Sequence, residues 1–324
     1  KTKEWSFTVL PVYILLVAVL GIVFNAFVLM VFCLHQKACT VAEIYLSNLA
    51  AADLLLTAFL PVWAVNASRK FNWPFSDSVC RLASLSINMN TYCSVYFLVL
   101  VSLDRYVALV HPLSHGRIRS PKYAKLGCVM VWGLGLLLST PMLIYREVNY
   151  FSCVNITVCY VNYPNITVEL LFDGVLTVFG FIIPISIISF CTVKIVHALN
   201  NRPTEGLNGQ KSEHKATILV LAVLVAFLVC WVPFHLIRIV EMLLTAEVLT
   251  DCSLIAIQHE CKQIFTYFAY FNSVFNPILY VIVGENFRKK VKELFKQRRN
   301  GVKISMTSTR SDLSRSVKTE HFSS

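Results

Sequence analysis

At 324 residues and 56% apolar composition, the chain is richer in apolar side chains than soluble domains, which average roughly 45–50%, and this argues against a water-soluble fold. Its formal net charge of +11 comes without any nucleic-acid motif, so it points to anionic lipid and a cytosolic partner rather than to nucleic acid. No set of His, Cys, Asp or Glu has the spacing of a metal site or a catalytic constellation, and neither a metal nor an enzyme active site is expected.

A transmembrane helix needs about 20 consecutive, mostly apolar residues. Windows free of Asp, Glu, Lys and Arg lie between Glu4 and Lys37, Arg81 and Asp104, Lys125 and Arg146, Asp173 and Lys194, Lys215 and Arg238, and Lys262 and Glu285. A seventh window, Glu43 to Arg69, holds only Asp53. In chain order these predict helices over 9–34, 41–68, 77–110, 121–144, 168–200, 213–246 and 257–282, an all-α membrane protein with a seven-transmembrane bundle spanning 9–282. Residues 1–8 are expected to be the end of a longer extracellular segment, because the chain opens on Lys1 without a signal peptide. Within 283–298, Phe287, Val291, Leu294 and Phe295 recur at helical spacing among Arg and Lys, predicting an amphipathic helix on the membrane surface. Residues 299–324 lack periodicity and predict a disordered tail, in which Ser305, Thr307, Ser308, Thr309, Ser311, Ser314 and Ser316 are phosphorylation candidates.

Basic residues concentrate in 35–41, 111–125, 200–215 and the tail from 285, which are therefore expected inside the cell, with the N-terminus outside. The N-x-S/T sequons at Asn66, Asn155 and Asn165 then fall outside, where glycosylation occurs, although Asn66 is close to the membrane. Cys80, Cys153, Cys159, Cys252 and Cys261 are also outside, an odd number for a compartment that favours disulfides. The remaining cysteines read as small apolar packers.

An ionised carboxylate in mid-span costs at least about 2.5 kcal/mol, so Asp53 requires compensation. Asn90, Ser94, Asn272 and Asn276 could share its depth, and a sodium ion is the cation such a set would take, against the alternative of a protonated, hydrogen-bonded Asp53. At the inner end of the third helix Asp104, Arg105 and Tyr106 offer an ion pair whose opening would free a long cation. Pro233, in Cys230-Trp231-Val232-Pro233-Phe234, and Pro277, in Asn276-Pro277-Ile278-Leu279-Tyr280, each remove a helix hydrogen bond and supply a hinge. Only Asp53 and the boundary pair are charged within the spans, and no internal repeat is present, which disfavours a transporter or channel.

Together with Asn25, Trp132 and Pro184, one set per span, these residues resemble the rhodopsin-like G-protein-coupled receptors from end to end. The resemblance implies a multi-pass plasma-membrane receptor with a heterotrimeric G protein, receptor kinases and arrestin as partners. It implies that Arg105 meets the G protein, that Trp231 sits under the ligand, that Phe227 and Pro184 relay the signal, and that Tyr280 swings inward. It also implies a disulfide between Cys80 and Cys159, leaving Cys252 for an N-terminal segment or for Cys153 or Cys261. The sequence departs from the family at Thr192, where a Tyr is usual.

An amine receptor would carry a carboxylate near the start of the third helix, but Leu85-Ser86-Ile87-Asn88-Met89 has none. Acids gather instead at the outer ends of the later helices, namely Glu169, Asp173, Glu241, Glu247, Asp251 and Glu260, which favours a cationic ligand, while Arg146 could hold a peptide carboxylate. The stretches Thr40-Val41-Ala42-Glu43-Ile44-Tyr45-Leu46, Leu60-Pro61-Val62-Trp63-Ala64, Phe71-Asn72-Trp73-Pro74-Phe75 and Val281-Ile282-Val283-Gly284 are similar to the kinin receptors. That resemblance implies a bradykinin-type peptide whose first Arg meets Glu241 and Glu260, the latter displaced by one position, with His259 in its place. It implies preference for the intact peptide, since Asn88 replaces a Lys of the other subtype, and Gq coupling to phospholipase C and calcium. An angiotensin-like peptide receptor is the neighbouring alternative. Trp63 and Trp231 complete the expected peptide-contacting set.

Overall fold

The computed structural model describes residues 2–35, 39–111, 120–153, 155–200, 208–248, 252–282 and 287–297, the side chains at 2–6, 199–200, 208–217, 219–220, 252–257, 259–260 and 280 excepted. The helices are α1 (Thr2–Leu34), α2 (Val41–Ser68), α3 (Asp77–Val110), α4 (Pro121–Ser139), the short α5 (Pro141–Ile144), α6 (Ile166–Thr177), α7 (Ile183–Asn200), α8 (Asn208–Thr245), α9 (Cys252–Tyr270) and α10 (Asn272–Ile282), followed by α11 over 287–297. Starts are set locally: Thr40, Ser76, Ser120 and Asn165 each cap a helix by accepting from the backbone N–H three residues on, and Pro121 occupies the first turn of α4.

Six helical stretches are long and apolar enough to cross a bilayer: Phe7–Leu34, Val41–Ser68, Asp77–Val110, Pro121–Ser139, Ile166–Ala198 and Leu221–Thr245. The seventh span is α9 and α10, divided at Phe271. The bundle is dressed for lipid. Val12, Val129 and Leu137 point outward from their helices, while Asn25, Asp53, Asn90, Ser94 and Asn276 are fully or almost fully buried along the axis.

Several predicted helices are interrupted. The fourth ends at Ser139 and resumes as α5 from Pro141; the fifth carries a π-helical segment, Val178–Ile182, between α6 and α7; the first begins at Thr2, so most of the expected N-terminal segment 1–8 is helical. Inside lipid every freed backbone group needs a partner. The π register sends the Ile183 N–H to Val178 O and leaves Phe179 O, which accepts from the Tyr96 hydroxyl at 2.9 Å. Pro277 has no N–H for the carbonyl of Ser273 four residues earlier, and the Asn25 amide donates to that carbonyl at 2.8 Å.

The one sheet among the described residues is a hairpin, β1 (Arg146–Phe151) with β2 (Ile156–Val161), antiparallel in a register that pairs Arg146 with Val161 and Val148 with Cys159. Helix prediction alone did not anticipate it. Its turn includes Asn155 at φ 52°, a left-handed conformation that Asn tolerates. Cys159 is joined to Cys80 at the start of α3, with Cα atoms 5.8 Å apart. Asp77 accepts from Val148 N–H at 3.0 Å, Trp73 N–H donates to Thr157 O at 2.8 Å, and Arg81 donates to Leu143 O. The hairpin is thus fixed as a cover over one end of the bundle. At the other end α11 inserts Phe287 against Phe27 and Phe32, with Lys290 on Glu43 at 2.9 Å and His35 on Glu293 at 3.0 Å.

Candidate functional site

Beneath the hairpin a cavity of about 520 Å3 opens between the spans. Trp63, Asn88, Arg146, Glu169, Trp231 and Glu241 all line it, so six of the seven predicted peptide contacts share one space. The side chain of the seventh, Glu260, lies outside the described residues. Trp231 is 2% exposed, and its ring stacks on Phe227 with centroids 5.9 Å apart and meets Phe234 edge-on at 5.5 Å. Pro233 lies within α8 two residues beyond Trp231, so the floor of the cavity coincides with the hinge predicted for that helix.

The acidic rim differs from expectation. Arg238 donates to Asp173 and, at 3.3 Å, to Glu241, and Lys262 donates to the other oxygen of Glu241. Both cations border the apolar windows in the sequence, Arg238 three residues from Glu241, but which acids they meet is set by the packing of the helices. Glu169 has no ion-pair partner among the described residues. Glu247 sits past the end of α8 at φ 55° and does not line the cavity, and Asp251 lies outside the described residues.

Arg146 is the inverse case. Its guanidinium stands 5.6 Å from the Trp63 ring, and its buried Nε has no hydrogen-bond partner. Burial lowers its pKa to about 10, opposed by the nearby Tyr270 and Tyr163 hydroxyls. Burial likewise pushes the Tyr163 phenol up to about 12. The buried Nε1 of Trp63 and Oγ of Ser84, also on the cavity wall, are without partners too. A desolvated cation with unsatisfied donors around it suits an anionic ligand group.

Deeper in the bundle Asp53 is wholly buried. Its carboxylate accepts from Asn90 at 3.0 Å, Ser273 at 2.9 Å and Asn276 at 2.9 Å, and the Asn90 amide also donates to Ser94 Oγ at 3.1 Å. Ser273 was missed by the sequence reading, because the break at Phe271 sets the facing of α10. Asn272 is buried but makes no hydrogen bond to Asp53; its Oδ1 and that of Asn276 are buried without partners. The Asp53 carboxylate, the Ser94 hydroxyl and the unpartnered Oδ1 of Asn276 are hard oxygen donors of the kind a sodium ion takes, whereas no hydrogen bond ties Asn272 to the carboxylate.

At the end opposite the hairpin Arg105 Nη2 donates to Asp104 at 2.6 Å and Nε at 3.1 Å, with both side chains at most 7% exposed. Tyr106 hydrogen-bonds His111 at 3.0 Å and packs on Phe190. The ion pair is closed. Pro277 lies inside α10, and the Tyr280 side chain falls outside the described residues, as do the tail phosphorylation candidates.

Asn155 and Asn165 are exposed, whereas Asn66 lies within α2 and is only 7% exposed, which disfavours glycosylation there. Cys153 and Cys261 are free thiols, and the Cys252 side chain lies outside the described residues.

Residues 24–280 match the family model described as 7 transmembrane receptor (rhodopsin family). The chain belongs to that family and is a multi-pass G-protein-coupled receptor. It is 44% identical over 293 residues to the B2 bradykinin receptor of Homo sapiens, covering 90% of this chain and 75% of the relative. It is 42% identical over 294 residues to the B2 bradykinin receptor of Oryctolagus cuniculus, with 90% and 80% covered, and 38% identical over 291 residues to the B1 bradykinin receptor of Homo sapiens, with 89% and 82% covered. Within the rhodopsin family the chain is therefore of the bradykinin receptor group, nearer to B2 than to B1 receptors.

Proposed function

We propose that the chain is a plasma-membrane receptor for a bradykinin-type cationic peptide, activating a heterotrimeric G protein of the Gq type and, through phospholipase C, calcium release. One observation supports the reading: a single cavity beneath the hairpin holds Glu169, which has no ion-pair partner among the described residues, and Glu241, whose partner Lys262 is 37% exposed, together with Arg146, whose buried Nε has no hydrogen-bond partner. A peptide with a basic residue at one end and a free carboxylate at the other matches both poles. The hairpin end faces outside, consistent with the exposed sequons Asn155 and Asn165, and the Asp104–Arg105 end faces the cytosol.

Binding acts by differential affinity for two states. Peptide pressed onto Trp231 favours the form in which α8 bends at Pro233, its inner end moves outward and Arg105 leaves Asp104 for the G protein. Asp53, Ser94, Asn90, Asn272 and Asn276 are the residues that would hold a sodium ion, whose charge would balance the buried carboxylate. Receptor kinases and arrestin act on the Ser- and Thr-rich tail.

In cells without kinin receptors, expression of the chain is expected to give a calcium rise on adding intact bradykinin and a weaker one with the form lacking the terminal Arg. Glu241→Ala shifts the response to higher concentration. Silence to both peptides, with receptor present at the surface, would remove the kinin reading and leave the family assignment standing.

A further inference from the structure

The two oxygens of Glu241 are held by different helices. Oε2 accepts from Arg238, three residues earlier on α8, at 3.3 Å, while Oε1 accepts from Lys262 on α9. Arg238 is itself anchored by Asp173 on α6 and is 21% exposed, whereas Lys262 is 37% exposed and has no second acid among the described residues. The pairs are therefore unequal. Moving Arg238 would uncover Asp173 and Glu241 together; moving Lys262 uncovers one oxygen and returns a flexible ammonium to water. Both side chains line the cavity beside Glu241, so a ligand cation reaching that carboxylate meets Lys262 already in place.

We infer that Lys262 is an intramolecular competitor, a specificity-determining residue that occupies Glu241 in the peptide-free receptor and is displaced by the ligand's guanidinium, while Arg238 stays and holds the carboxylate in position. This rests on the peptide reading of the cavity. The guanidinium is the better occupant because its planar fork pairs in two-point fashion with a carboxylate, where ammonium acts as a point charge. The competition lowers the fraction of receptors with Oε1 available, and apparent affinity falls by that fraction. A ligand without a cation at this position leaves the Lys262 pair intact, and so neither bears the cost of the exchange nor gains from it. Displacement also severs the ionic strap between α8 and α9 at the mouth and keeps the strap between α6 and α8, so the ligand loosens the sixth span from the seventh and not from the fifth.

The test is equilibrium binding of intact bradykinin, and of the same peptide with its first Arg replaced by neutral citrulline, to membranes carrying wild type, Lys262→Gln, Lys262→Arg or Lys262→Gln combined with Glu241→Gln. Removing a partly exposed competing pair is expected to tighten bradykinin binding about fivefold in Lys262→Gln. The citrulline peptide is expected to be unaffected, Lys262→Arg to bind like wild type or more weakly, and the double variant to lose the gain. Unchanged or weaker bradykinin binding in Lys262→Gln, with wild type binding normally, overturns the exchange alone. No binding of either peptide to wild type overturns the peptide reading and the exchange with it.

Discussion

Arg146 is a guanidinium drawn out of water with no carboxylate beside it among the described residues, its Nε unpaired and its pKa lowered by burial to about 10. Because that value lies below the ordinary arginine range, the unfolded chain binds the extra proton only above about pH 10; between pH 6 and 8 Arg146 is charged in both states and its cost to folding is constant. The expected consequence is a trade between stability and binding. Arg146→Met, which keeps the apolar stem over Trp63, should leave the purified receptor at least as heat-stable as wild type, by about 1 kcal/mol if the desolvation is fully relieved. The same variant should weaken a peptide with a free terminal carboxylate at least about tenfold and its amidated form little. Thermal inactivation and competition binding with the two peptides measure both, and equal losses for both peptides would show that Arg146 does not meet the carboxylate. The sequence made Arg146, Asp53, Asp104 and Arg105 conspicuous, because charge in or beside an apolar window is costly. Arg238 and Lys262 were overlooked for the same reason in reverse: they stand at window edges, where cations are ordinary, and only the packing of three helices shows that they neutralise the acids.

At the scale of elements, the spans were legible from charge-free length and their starts from Ser, Thr and Asn caps, while the interruptions were not. The hairpin is made of residues 146–161, which lie beyond the helix-length apolar windows, although Ile156-Thr157-Val158-Cys159-Tyr160-Val161 has the β-branched and aromatic composition of a strand; its order comes from the Cys80–Cys159 bond and the Asp77 and Trp73 hydrogen bonds, all long-range. The π segment and the interruption at Pro277 likewise find partners on other helices, since Tyr96 and Asn25 take the carbonyls that those irregularities release. Asn25 thus serves the seventh span from the first. Asn25→Ala should destabilise the receptor by about 1–3 kcal/mol, the cost of an unmet buried acceptor, seen as faster thermal loss of peptide binding in detergent. An unaltered inactivation rate would mean that another group satisfies Ser273 O.

At the scale of the molecule, the two ends are joined by one core. Trp231 floors the cavity and stacks on Phe227. Asp53 ties α2 to α3 and α10 through Asn90, Ser273 and Asn276, and Arg105 lies closed on Asp104 at the far end. Both Pro233 and Pro277 lie along this axis, so a change of shape at the cavity has hinges through which to act. The central claim is that a kinin peptide in the cavity opens the Arg105 end to a G protein. Its most direct test is guanine-nucleotide exchange on a purified heterotrimeric Gq-type protein by the purified receptor in lipid discs, with and without intact bradykinin. The account predicts that the peptide accelerates exchange, and that Glu241→Gln moves the half-maximal concentration upward without abolishing the maximal rate. Peptide bound at saturation with exchange no faster than in its absence would contradict it.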